Sequence, residues 1–180
     1  MQDRVRRVVV TGSESTGKSW LAQRLAQRFD TVWVPEFARQ YALQKAAPLD
    51  ASDVEPIARG QINAEEAVLS RAKDLAILDT DLVSTVVYAE HYYRECPPWV
   101  EHFARKRLAD LYLLCDIDVP WVADPARDRP HARQELHAAF QHRLERLSAH
   151  YAIIRGAWEQ REAAAVAAVD ALLASTSRHV

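Results

Sequence analysis

Gly12-Ser13-Glu14-Ser15-Thr16-Gly17-Lys18-Ser19 matches G-x-x-x-x-G-K-[ST], the phosphate-binding P-loop. Ahead of it, Val8-Val9-Val10-Thr11 is a β-branched run bounded by glycine, the pattern of a buried strand. Behind it, Trp20 to Ala26 carries apolar residues at helical spacing. Strand, loop and helix thus stand in the order the motif needs. Gly12 and Gly17 allow backbone angles that other residues avoid. The loop from Gly12 through Ser13, Glu14, Ser15, Thr16 and Gly17 then offers N–H groups, with the helix N-terminus, to anionic oxygens. Lys18 reaches the β- and γ-phosphates of a nucleotide, and the Ser19 hydroxyl is a ligand for Mg²⁺.

Outward from this loop, apolar runs alternate with helical patterns. Strands are predicted at Thr31–Val34, Leu75–Leu78, Asp110–Cys115 and Tyr151–Ile154. Helices are predicted from Glu36, from a Ser52–Glu55 capping box to about Lys73, from Thr80 or Asp81 to about Tyr93, and near Trp99–Leu108. Two more run over about 134–149 and 158–173. The alternation, with the P-loop after the first strand, predicts an α/β P-loop fold, a five-stranded parallel sheet with helices on both faces. The order of its strands is not legible here. No linker divides residues 1–180, so one domain is expected, with an Arg-rich lid at about 117–133.

With 180 residues, nearly half of them apolar, the chain has material for one sizeable core. A formal net charge of −2 gives no general attraction to nucleic acid or membrane. No apolar run is long enough for a membrane span. Two cysteines, Cys96 and Cys115, form no disulfide framework, and Cys115 lies in an apolar strand pattern. A cytoplasmic protein is expected; its oligomeric state is not readable.

Three further groups bear on chemistry. Asp79 ends an apolar strand, where open α/β sheets bind ligands, and a carboxylate there can hold Mg²⁺. Asp81 is either a helix cap or a substrate contact. Glu36 follows the second predicted strand, where it can take a proton from an attacking hydroxyl or bind a sugar diol. Arg39, three residues on, pairs with Glu36 or approaches a phosphate; a simple ion pair at a helix start is the alternative. Asp124 to Arg133 carries Arg127, Arg129 and Arg133, the composition of a lid that closes over phosphates or of an ordinary solvated loop.

The P-loop, Trp33-Val34-Pro35-Glu36-Phe37-Ala38-Arg39, Leu78-Asp79-Thr80-Asp81 and the block Asp118-x-Pro120-Trp121-x-x-Asp124-x-x-Arg127 resemble, in this order, the ribosylnicotinamide kinase domain of bacterial NadR-type proteins. The resemblance narrows the fold to the P-loop kinase fold and implies transfer of the ATP γ-phosphate to the 5′-hydroxyl of nicotinamide riboside. It implies that Lys18 and Arg127 act on phosphate, that Arg133 contacts the nucleotide, and that Ser19 and Asp79 hold Mg²⁺. Glu36 then orients or deprotonates the hydroxyl, with Trp121 and Asp124 near the riboside; an apolar plug is the other reading of Trp121, and Arg39 and Asp81 are candidate riboside contacts by their own positions alone. Tyr88, Tyr92, Tyr93 and Trp99 have two readings, pocket lining or packing as core or surface, and their helical spacing favours packing. The P-loop's nearness to the first residue predicts kinase chemistry alone, without the DNA-binding segment and adenylyltransferase domain that NadR proteins can carry.

Two other classes compete. Deoxynucleoside kinases typically place Asp/Glu-Arg-Ser where this chain has Asp79-Thr80-Asp81. A regulatory GTPase usually carries N-K-x-D, and the sequence has no such tetrapeptide.

Overall fold

A computed structural model describes residues 4–121 and 132–176. In chain order the elements are β1 (Arg6–Thr11), α1 (Lys18–Arg28), β2 (Val32–Val34), α2 (Phe37–Lys45), α3 (Val54–Leu69), β3 (Leu75–Asp79) and α4 (Leu82–Tyr93). Then come α5 (Pro98–Lys106), β4 (Leu111–Cys115), α6 (Arg133–Arg146), β5 (Tyr151–Ile154) and α7 (Trp158–Thr176). The five strands form one parallel sheet in the order β2-β3-β1-β4-β5.

Side chains alternate across the pleat, so β1 sends Val9 to one face and Val8 and Val10 to the other. Val9, Leu78, Tyr112 and Leu114 meet α4 and α6 through Val83, Val87, Leu136 and Phe140. Val8, Val10, Ile77 and Leu113 meet α1 and α7 through Leu21, Leu25, Ala165 and Val169. Both faces are covered, which is why β3 and β4 are buried throughout while β2 and β5 at the edges are partly exposed. Burying each such Val or Leu contributes about 1.5–3 kcal/mol. Cys115 is one of these core residues, and burial pushes its thiol up to about 12.

Boundaries differ from the sequence reading in informative places. The capping box is Asp50 with Asp53, not the Ser52 pair: Asp50 accepts from Ser52 N, and Asp53 accepts from Asp50 N. It opens a short 3₁₀ turn, Ala51–Asp53, from which α3 starts at Val54. Helix α3 stops at Leu69, four residues short of Lys73, because the amides of Arg71 and Ala72 turn back to Val68 and Leu69. Residues 122–131 of the expected lid, with Asp124 and Arg127, lie outside the described residues. Among the described residues, no helix is long and apolar enough to cross a membrane.

Candidate active site

Strand register gathers the site at one edge of the sheet. Leu78 pairs with Val9 on one side and Val34 on the other. The P-loop, Asp79 and Glu36 therefore leave three adjacent strands at their C-terminal ends, where parallel sheets present ligand sites.

The P-loop has the backbone its glycines allow: φ is +133° at Gly12, +55° at Ser15 and +80° at Gly17. A Cβ on Gly12 would lie 2.9 Å from the Cys115 carbonyl oxygen, and one on Gly17 would lie 2.4 Å from the Trp158 ring. Gly12 is thus closed to a side chain by angle and by a backbone contact, and Gly17 by its angle, with the Trp158 ring obliged to move as well. Two arginines hold the loop from outside: Arg133 donates to the Ser15 carbonyl at 3.1 Å and Arg161 to the Thr16 carbonyl at 3.3 Å. Carbonyl and N–H point opposite ways in a trans peptide, so these bonds turn the Thr16 and Gly17 amides away from the arginines. Lys18 is buried and donates from Nζ to the Ser13 carbonyl at 2.7 Å.

Arg161 went unnoticed in sequence, since a lone arginine in an Ala-rich helix looks solvated. It is 1% exposed and also donates to the carbonyls of Gly156 and Asp116 and to the Asp118 carboxylate. Asp118 in turn accepts from Gly156 N at 2.6 Å. The first acid of the Asp118–Arg127 block thus joins the end of β4 to the start of α7. Burial, and then the neighbouring Arg161, lowers the Arg133 pKa.

Ser19 Oγ donates to Asp79 Oδ2 at 2.5 Å, and Asp79 is 1% exposed. A hydroxyl and a carboxylate in contact beside the phosphate loop are the hard oxygen donors that suit Mg²⁺. Thr80 follows in the left-handed region at φ +66°, its amide donating to the Val10 carbonyl at 3.0 Å. That turn ends the strand and brings Asp81 to the start of α4.

Asp81 makes the cap, one of its two open readings. Its Oδ1 accepts from Val83 N at 2.9 Å and its Oδ2 from the Tyr112 hydroxyl at 2.7 Å. Burial raises its pKa.

Glu14, Glu36, Arg39, Gln61, Thr80 and Ser84 line one cleft with Tyr88, Tyr92 and Tyr93. The P-loop thus shares a wall with the acceptor candidates. Tyr88 and Tyr92 pack against the core as expected, and with Tyr93 they also line the cleft: Tyr88 stacks on Tyr92 at 6.0 Å and 17°, and meets Phe140 edge-on at 5.6 Å. Trp99 does pack, with the Arg59 guanidinium 4.6 Å from its ring. Trp121 is not among the described residues lining the cleft; its ring lies 6.0 Å from the Arg133 guanidinium.

Glu36 is the N-cap of α2, yet its side chain makes no capping bond. Gln61, which the sequence reading passed over, supplies an acceptor there: its Oε1 takes the Phe37 amide at 3.1 Å. Its Nε2 donates to Glu65 Oε1 at 3.1 Å. Burial, with Asp81 next, pushes the Glu65 carboxyl up to about 7. A signal existed, because the apolar stripe Val54, Ile57, Ala58 of α3 continues into Gln61 and Glu65, polar residues at core positions.

The protein family described as AAA domain matches residues 7–161. The trifunctional NAD biosynthesis/regulator protein NadR of Escherichia coli (strain K12) is 33% identical over 127 residues, covering 68% of this chain and 31% of that protein. Its Salmonella typhimurium counterpart matches to the same extent. The chain thus spans about a third of the curated relatives' length. Among solved structures, a NadR protein in complex with NR superposes with a TM-score of 0.80 at 24% identity, over 93% of this chain and 51% of that one. Thymidylate kinase from Ehrlichia chaffeensis gives 0.71 at 13% identity, over 92% of this chain and 98% of the other. These two likenesses establish the P-loop kinase fold. By the match over residues 7–161 the chain belongs to the AAA domain family, and its motif resemblance to the NadR-type kinase domain holds in sequence and in fold.

Proposed function

We propose that the protein is an ATP-dependent kinase that phosphorylates the 5′-hydroxyl of nicotinamide riboside to nicotinamide mononucleotide. The observation that carries this reading is the shared cleft, whose wall runs from Glu14 of the P-loop to Glu36, Arg39 and three tyrosines. A small polyol seated there lies beside a phosphate cradle, and its pyridinium ring meets aromatic faces that attract cations.

In this reading the P-loop amides and Lys18 bind the ATP phosphates. Ser19 and Asp79 would hold Mg²⁺, which when bound would supply charge neutralisation at the phosphate oxygens. Glu36 orients the riboside hydroxyl and takes its proton as the oxygen bonds to the γ-phosphorus. The bond to the β-phosphate oxygen breaks and ADP leaves. Arg39 balances charge at the acceptor, and Arg133 steadies the P-loop from outside. Arg127, Trp121 and Asp124 keep their sequence-based roles as phosphate and riboside contacts.

Purified protein with ATP and Mg²⁺ should convert nicotinamide riboside with kcat/KM at least tenfold above that for deoxynucleosides or shikimate. Preference for another hydroxyl compound would sink the substrate and keep the kinase. Tight ATP binding with transfer to none of these acceptors would favour a regulatory nucleotide-binding module.

A further inference from the structure

We infer that Gln61 is a positioning residue for phosphoryl transfer, holding the peptide next to Glu36 so that the Glu36 carboxylate stays at the acceptor cleft. The inference rests on the reading of Glu36 as the group that handles the acceptor hydroxyl.

Helix α2 buries none of its residues completely, so a deep apolar contact does not fix it. Polar bonds to the 3₁₀ turn and α3 do much of that work. At the far end, Asp53 accepts from the Tyr41 hydroxyl at 2.9 Å and from Lys45 Nζ at 2.5 Å. At the near end the tie is made by neighbours on α3. Gly60 leaves room for the Phe37 ring, which would stand 2.0 Å from a Cβ there, and Gln61 takes the Phe37 amide.

That amide belongs to the peptide plane directly after the Glu36 Cα. Fixing it constrains ψ of Glu36, which is 112°, and with it the direction in which the Glu36 Cα–Cβ bond leaves the backbone. An N-cap residue usually spends its own side chain on the orphan amides of the first turn. Here an acceptor from another helix serves the Phe37 amide, and both Glu36 and Gln61 line the cleft.

The Gln61 amide has one orientation available. The Phe37 N–H can only donate, so the carbonyl oxygen must face it and the NH₂ must face Glu65. Glu65 is fixed in turn, its Oε2 accepting from Arg107 at 3.3 Å. Gln61 and Glu65 are each 2% exposed, where an unmet hydrogen bond is costly, and the chain Phe37–Gln61–Glu65–Arg107 satisfies the facing groups.

The test is a double-mutant cycle of Gln61→Met, which keeps shape and loses both bonds, with Glu36→Gln. Riboside turnover is measured and ATP affinity serves as the check on folding. Gln61→Met should lower kcat about tenfold with the KM for ATP unchanged, and should lower it little further in the Glu36→Gln background. An equal loss in both backgrounds, or no loss in either, overturns the inference while leaving the role of Glu36 intact. Wild-type turnover by Glu36→Gln removes the role of Glu36 and the inference with it. Should Gln61→Met fail to fold, Glu65 substitutions probe the other end of the chain. Glu65→Gln, which still offers an oxygen to Gln61, should then lose less turnover than Glu65→Met; equal loss overturns the inference.

Discussion

The phosphate cradle and the acceptor wall sit side by side and are built by opposite means. The cradle is backbone: a loop of positive φ angles clamped between the core strands, Trp158 and two arginines. The wall is side chains from α2, α3 and α4, with α2 tied on by hydrogen bonds and partial contacts. A backbone cradle serves any nucleoside triphosphate, since every one presents the same phosphates. A side-chain wall can be changed one residue at a time, which is where acceptor choice belongs.

The sharpest way to break this contrast is Arg161→Leu. The substitution removes the arginine donor from three carbonyls and from the Asp118 carboxylate, which keeps its bond from the Gly156 amide. Asp118 is partly exposed and water can serve it, so the cost comes from the three carbonyls that lose a charged donor, about 4 kcal/mol together. We expect Tm to fall by roughly 10 °C in calorimetry, with ATP affinity falling alongside. An unchanged Tm would mean that the cradle stands without its outer clamp.

A second effect belongs to the support behind the wall, where Glu65 accepts from Gln61. The Glu65 carboxyl titrates near 7 in the folded protein against an ordinary value of 4.5, so between these values the folded state binds more protons than the unfolded. The stabilisation is complete below about pH 4.5 and is lost as pH rises through 7. Its size is on the order of 3 kcal/mol. Wild type and Glu65→Gln, compared by denaturant unfolding from pH 4.5 to 7.5, should diverge in slope, the wild type losing stability faster. Parallel curves would show that Glu65 stays ionised throughout. Asp81, also raised, contributes to both curves.

The same contrast explains what was legible in the sequence. The cradle depends on glycines and a lysine at fixed spacing, and local rules read it from eight residues. The sheet was legible too, because strands buried on both faces are unbroken apolar runs. Asp79 was readable from its place at the end of such a run. The wall was not, because it depends on which helices become neighbours. Nothing near Gln61 in sequence says that α2 will lie against it, and Tyr88 shows the same spacing whether its ring meets core or cleft. Arg161 escaped for a related reason: its partners are up to 145 residues away. The Asp50 cap was missed because Ser52 offers the same spacing two residues later.

The smallest expected effect sharpens the contrast most, because it separates recognition from chemistry within the wall. The Tyr88 ring is set from below by Phe140 and continued by Tyr92, so the stack is fixed from the core outward. An aromatic face attracts a pyridinium through its quadrupole, whereas a neutral base gains only packing area. Tyr88→Ala should therefore raise KM for nicotinamide riboside about tenfold, equivalent to about 1.4 kcal/mol. The KM for a neutral nucleoside should rise less, and kcat should change little for either. Equal rises would reduce the tyrosines to shape. A loss of kcat without a rise in KM would move Tyr88 from holding the ring to aligning the hydroxyl, the task here assigned to Glu36 and Gln61.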